Sequence, residues 1–210
     1  MEKFIIYQNK FLKKTLIGYF HQYYVGYNQP GNPDFLNILK DTYCREPKSI
    51  LLDAAKKVKD ILILDIGDII KELSIDNVLI TCVPRAKALA NYDKRQLLFK
   101  EAVKRAAREI GVTDGTDYIK RVKNTKTTHL RSPKLKEINS GPEPYPGITL
   151  NTCDIAEELI ENKCIILIDD IYTPNINIDE DCIQALLSLG AKEVIFYSVA
   201  FTKPKNNGII

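Results

Sequence analysis

Histidine is scarce in this chain, and cysteine is scattered. The 210 residues hold two histidines, His21 and His129, and five cysteines, Cys44, Cys82, Cys153, Cys164 and Cys182, with no Cys-x-x-Cys pair. A structural zinc site needs ligands at short fixed spacings, and none is present. An odd cysteine count in a chain of this size argues against a disulfide scaffold, so reduced thiols in a cytoplasmic protein are expected. Long apolar runs are missing too. None approaches the roughly 18 residues that cross a bilayer, so no membrane association is expected. The opening MEKFIIYQNKFLKK interleaves charge with short apolar groups and lacks the continuous apolar stretch of a signal peptide. Neither sign of charge dominates. Lys and Arg number 30 against 27 Asp and Glu, a net charge of +3, which by itself points to neither a nucleic-acid nor a membrane partner. What remains is globular composition, 45% hydrophobic and 27% charged, without repeats or low-complexity stretches. That excludes a collagen-like, coiled-coil or wholly disordered chain. The length suits one large domain, or a domain with a small appendage.

Apolar spacing and turn residues divide the chain. Phe11, Leu12, Leu16, Tyr19, Phe20, Tyr23 and Tyr24 recur at three- and four-residue spacing, which predicts a helix face packed into a core. Residues 28–33, NQPGNP, form a turn. Phe35 to Tyr43 reads as a short helix with Asp34 as its N-cap. A long apolar helical face follows from Leu51 to Leu73, with a break expected near Gly67. Residues 1–60 are therefore expected to be a helical, tyrosine-rich segment, and residues 61–210 an α/β domain. In that domain, strands are predicted at 77–83, 118–122, 164–170 and 194–201. Helices are predicted at 92–110, stopped by Gly111, at 150–161, and at 176–189, closed by Gly190. Residues 124–149, rich in Pro and Gly, read as a long loop of the kind that forms lids or binding loops. The final strand–helix–strand unit requires a parallel crossover. The fold class expected is thus α/β, an open, mainly parallel sheet with helices on both faces and a mostly helical N-terminal segment.

Ligands in open α/β sheets bind at the carboxyl ends of the strands. Two such ends carry suitable chemistry. One is Val83-Pro84-Arg85-Ala86-Lys87. The other is Asp169-Asp170 followed by Ile171-Tyr172-Thr173-Pro174-Asn175-Ile176-Asn177 and a helix start. Paired carboxylates accept hydrogen bonds from sugar hydroxyls and hold magnesium directly or through water. A helix start offers unpaired N–H groups to a phosphate. Taken alone, Asp-Asp at a strand end more often just ends the strand. Between Tyr118 and Lys136 the charged residues are all cations: Lys120, Arg121, Lys123, Lys126, Arg131, Lys134 and Lys136. This run reads as a lid over an anion, as a nucleic-acid patch, or as a solvated loop. His129 lies within it.

The order of these segments resembles type I phosphoribosyltransferases, most closely their ComF-like members. Cys164 to Ala200, CIILIDDIYTPNINIDEDCIQALLSLGAKEVIFYSVA, is similar to the segment that binds phosphoribosyl pyrophosphate (PRPP). Cys82 to Lys87 is similar to the pyrophosphate loop, and Tyr118 to Thr125 to the strand that leads into the catalytic loop. The resemblance covers about residues 77–202. It implies Asp169 and Asp170 at the ribose, with magnesium at the same dyad. It implies Thr173, Asn175, Ile176 and Asn177 around the 5′-phosphate, and Arg85, Ala86 and Lys87 at pyrophosphate. The implied activity is transfer of phosphoribose to or from a nitrogenous base, a pentosyltransferase reaction, in a cytoplasmic enzyme for which a homodimer is compatible. The loop departs from the family's Thr-Gly-x-Thr, here Pro174-Asn175-Ile176-Asn177. Pro174 removes an N–H, and Asn175 must take over a glycine's backbone. A catalytically silent nucleotide- or nucleic-acid-binding module on the same fold is the alternative.

Overall fold

The computed structural model describes residues 1–41, 43–128 and 139–204. In chain order the elements are β1 (Glu2–Ile6), β2 (Leu16–Tyr24), α1 (Asp34–Lys40), α2 (Lys48–Leu73), β3 (Val78–Cys82), α3 (Leu98–Ile110), β4 (Thr113–Asp114), β5 (Ile119–Arg121), α4 (Ile148–Thr152), β6 (Cys153–Ile155), β7 (Cys164–Tyr172), α5 (Ile178–Ser188) and β8 (Glu193–Thr202). Six strands form one sheet in the order β1-β2-β8-β7-β3-β4. Every pairing in it is parallel except β1 with β2. β5 and β6 pair antiparallel as a separate ribbon. The α/β class and the mainly parallel sheet thus agree with the sequence.

Strands buried on both faces need apolar residues at successive positions, and β3, β7 and β8 supply them. Ile80, Ile166, Ile168, Ile195 and Tyr197 pack toward α2 and α3, against Val58, Leu62, Ile66, Val103 and Ala106. Leu79, Ile165, Leu167 and Phe196 pack on the other side against Cys182, Ile183 and Leu186 of α5 and Ile119 of β5. One polar group crosses the first layer. The buried Asp65 carboxylate of α2 accepts a hydrogen bond from Tyr197 Oη at 2.7 Å and lies 2.9 Å from His21 Nδ1.

The N-terminal segment is not mostly helical. Its aromatic run forms β2, inserted between β1 and β8. The helical spacing was misleading for a physical reason. The middle of β2, Gly18 to Phe20, is buried on both faces, so no alternation of apolar and polar residues survives there. Tyr19 packs on the α2 side, while Phe20 meets Phe4 edge-on at 5.9 Å between ring centroids. Gly18 leaves room for the Phe4 ring, where a Cβ would lie 2.6 Å from it. α2 runs unbroken through Gly67, which has open space around it, and through residue 60. Asp34 is the first residue of α1, not its cap; its carboxylate receives the Asn28 N–H and the Asn32 and Asn37 amides instead. The helix expected at 150–161 is a single short helix followed by β6, because Cys153 and Ile155 pair with Arg121 and Ile119.

Among the described residues, no helix is long and apolar enough to cross a membrane.

Candidate functional site

The topology itself singles out one place on the sheet. From β3 the chain crosses through α3 to β4; from β7 it crosses through α5, on the opposite face, to β8. The two crossovers leave in opposite directions, so a crevice opens outside the carboxyl ends of β3 and β7. A cavity of about 1070 Å³ lies there. Val83 N–H donates to Ile168 O at 2.9 Å, which sets the basic segment after β3 beside the acidic dyad.

Seven of the nine sequence-predicted positions line this one cavity: Asp169, Asp170, Thr173, Ile176, Arg85, Ala86 and Lys87. Asn175 and Asn177 do not. Both adopt left-handed backbone, with φ of 70° and 65°. Asn175 thus takes the conformation expected of a glycine replacement. The Asn177 amide donates to Asn175 O at 3.0 Å, and its oxygen accepts from Asn9 Nδ2 at 3.2 Å. That side chain holds the loop's shape. Thr173 Oγ1 is 2.7 Å from Thr202 Oγ1.

The dyad sits in a crowded electrostatic setting. Lys40, the last residue of α1, places Nζ 2.8 Å from Asp170 Oδ1, which also accepts the Ile171 N–H. Burial opposes the charge on Lys40, but Asp170 and Asp169 outweigh it and hold the ammonium above the usual lysine range. Asp169 is pushed up from the usual carboxylate range by burial and by Asp170, with Lys40 opposing. Beside it lies the carboxyl of Asp179, the second residue of α5, which burial and Asp169 likewise push up. Asp179 Oδ1 is buried without a partner among the described residues.

The first turn of α5 holds two more buried acids. Glu180 accepts from Tyr172 Oη at 2.7 Å. Asp181 accepts the Gly147 N–H at 2.5 Å and the Thr149 N–H at 2.7 Å, so it caps α4 from a neighbouring helix. Three acids in this turn already complement the helix dipole.

The basic segment is tightly fastened. The Arg85 guanidinium stacks over Tyr92, 4.8 Å from the ring centroid, and donates to Gln96 O and Lys40 O. Lys87 Nζ donates to Thr125 O at 2.8 Å and Ser140 O at 2.7 Å, which clasps both ends of the loop after β5. Ala86 O accepts the Thr125 N–H at 2.7 Å. Lys87 is therefore a loop fastener as well as a cavity residue. Arg121 is not part of a solvated loop: it is 3% exposed, and its guanidinium donates to Arg85 O at 2.7 Å and to Thr152 Oγ1. Arg121, Lys120 and Lys126 line the cavity with it. His129, Arg131, Lys134 and Lys136 lie outside the described residues.

Sequence reasoning did not find Lys40 or Asp179 as site residues, and it placed Arg121 only within the basic run. The acidic run Asp179-Glu180-Asp181 was a readable signal for the second, since three charges in one helical turn seldom lie buried without a task. Lys40 carried no signal, because only the tertiary path of α1 brings it to β7.

The dyad does not fit a bare divalent ion. Asp170 already faces an ammonium, and burial disfavours a charge on Asp169. Among the described residues, no group of three or more His, Cys, Asp or Glu side chains is placed to hold a metal. No known protein-family model matches the chain, and no curated protein matches it.

Proposed function

We propose that this protein binds a phosphoribosyl ligand, PRPP or a nucleotide, and transfers phosphoribose to or from a nitrogenous base with pyrophosphate as co-product. One observation carries the reading. A single switch-point cavity joins an acidic dyad at the end of β7 to a basic segment at the end of β3. PRPP has that same division, a neutral diol between anionic groups. In this reading Asp169 and Asp170 accept hydrogen bonds from the ribose hydroxyls. Arg85, Arg121 and the backbone of Ala86 face the pyrophosphate, with Thr173 and Ile176 at the 5′-phosphate. Catalysis is then chiefly positioning of the sugar and stabilisation of charge on the departing pyrophosphate.

The altered tip supports a second reading, binding without turnover. Asn175 and Asn177 lie off the cavity, Pro174 donates no N–H, and three acids occupy the start of α5. Each weakens the hold on a 5′-phosphate. Calorimetric titration with PRPP tests the premise both readings share. Replacing Asp169 and Asp170 together by alanine should abolish that binding, while circular dichroism shows the fold retained. Unchanged affinity would remove the ribose assignment. Release of pyrophosphate on adding candidate bases then separates transferase from binding module, since only the former produces it.

A further inference from the structure

Lys40 is set with unusual firmness for a lysine. The two residues of α1 that fix it, Leu36 and Leu39, are buried in the main core. Its own carbonyl accepts from Arg85 Nη2 at 3.3 Å, while its ammonium lies on Asp170 at 2.8 Å. One residue thus bridges the basic segment and the acidic dyad inside the cavity. An ammonium has three donors, and one is used by Asp170 among the described residues. Two are left for oxygens of an incoming ligand.

Resting on the phosphoribosyl reading, we propose that Lys40 is the resident cation of this site, and that the ligand binds without a divalent metal. The Asp170 carboxylate already has its cation. Lys40 Nζ lies 2.8 Å from it, and Arg85 donates to the Lys40 carbonyl. A magnesium ion prefers six oxygens in octahedral array and gives up water reluctantly. Here it would have to displace a fixed ammonium and sit near the Arg85 guanidinium. An anionic sugar ligand meets no such obstacle. Its oxygens approach a positive charge that is held in place before binding and needs no further ordering.

The test is calorimetry of the full chain with PRPP, in excess EDTA and in saturating magnesium chloride, for the wild type, Lys40→Gln and Lys40→Arg. The wild type is expected to bind in EDTA within about threefold of its affinity in magnesium. Lys40→Gln should weaken binding in EDTA by about tenfold or more, the loss of one charge-assisted hydrogen bond, and Lys40→Arg should restore most of it. Binding by the wild type only in magnesium overturns this inference and leaves the phosphoribosyl reading standing. Equal binding in EDTA by the wild type and Lys40→Gln removes Lys40 from the role. No binding under either condition overturns both. The wild-type comparison decides metal dependence even if a variant fails to fold.

Discussion

Replacing Asp181 by alanine probes the join between the helix after the dyad and the base of the basic loop. Asp181 is 2% exposed, and its two carboxylate oxygens accept the Gly147 and Thr149 N–H groups at 2.5 and 2.7 Å. Hydrogen bonds to a charged group contribute about 1.5–3 kcal/mol each, and the groups left behind are buried donors. Two such bonds sum to about 3–6 kcal/mol. Partial relaxation and water entry reduce this, so Asp181→Ala should cost about 3 kcal/mol of folding stability. Asp181→Asn keeps one acceptor and turns a donor toward the other N–H, and should cost about 2 kcal/mol. Urea unfolding measures both as a shift in midpoint at unchanged slope. Hydrogen exchange at Gly147 and Thr149 should accelerate selectively, because local opening frees those amides first. A loss below about 1 kcal/mol for Asp181→Ala would refute the reasoning, since those amides would then be satisfied without the carboxylate.

Two further outcomes are expected. Burial works to raise the Asp65 carboxyl, but the hydrogen bonds from His21 and Tyr197 prevail and hold it below the usual range. Its stabilisation is therefore present above the unfolded carboxylate value, about 4, and is lost as pH falls through the lower folded value. Asp65→Asn should lower stability at neutral pH and flatten the acid limb of the pH–stability curve; an unchanged acid limb contradicts the assignment. Gly141 has a φ of 118°, and a Cβ there would lie 2.7 Å from Asn124 O and 2.8 Å from the Thr125 carbonyl carbon. Gly141→Ala should cost about 1–3 kcal/mol by thermal melt and displace Thr125 from Ala86, with weaker PRPP binding; a neutral melt would show that the loop base yields freely.

The part of the fold that reads directly from sequence is the part with apolar residues at successive positions. β3, β7 and β8 stand out as short apolar runs, and α3 and α5 end at Gly111 and Gly190, both with positive φ. The dyad and the basic segment were legible because strand ends are where such sheets bind ligands. β2 was not legible, since aromatics on both of its faces imitate a helix face. Nor was β6, where three residues commit to a strand only because β5 lies alongside. Lys40 and Arg121 were opaque for a related reason. A cation's role depends on which carboxylate or carbonyl it meets, and those partners are distant in sequence, Asp170 from Lys40 and Arg85 from Arg121.

β2 has a consequence for how the chain can be divided. It pairs with β8 over Gly18 to Tyr24, and β8 is buried along most of its length. A fragment beginning near residue 61 would strip off that partner and cut α2 in half. The bare flank of β8 from Phe196 to Thr202 would then present an open row of unpaired backbone groups, a template for intermolecular pairing. Such a fragment should precipitate instead of yielding a smaller ligand-binding core.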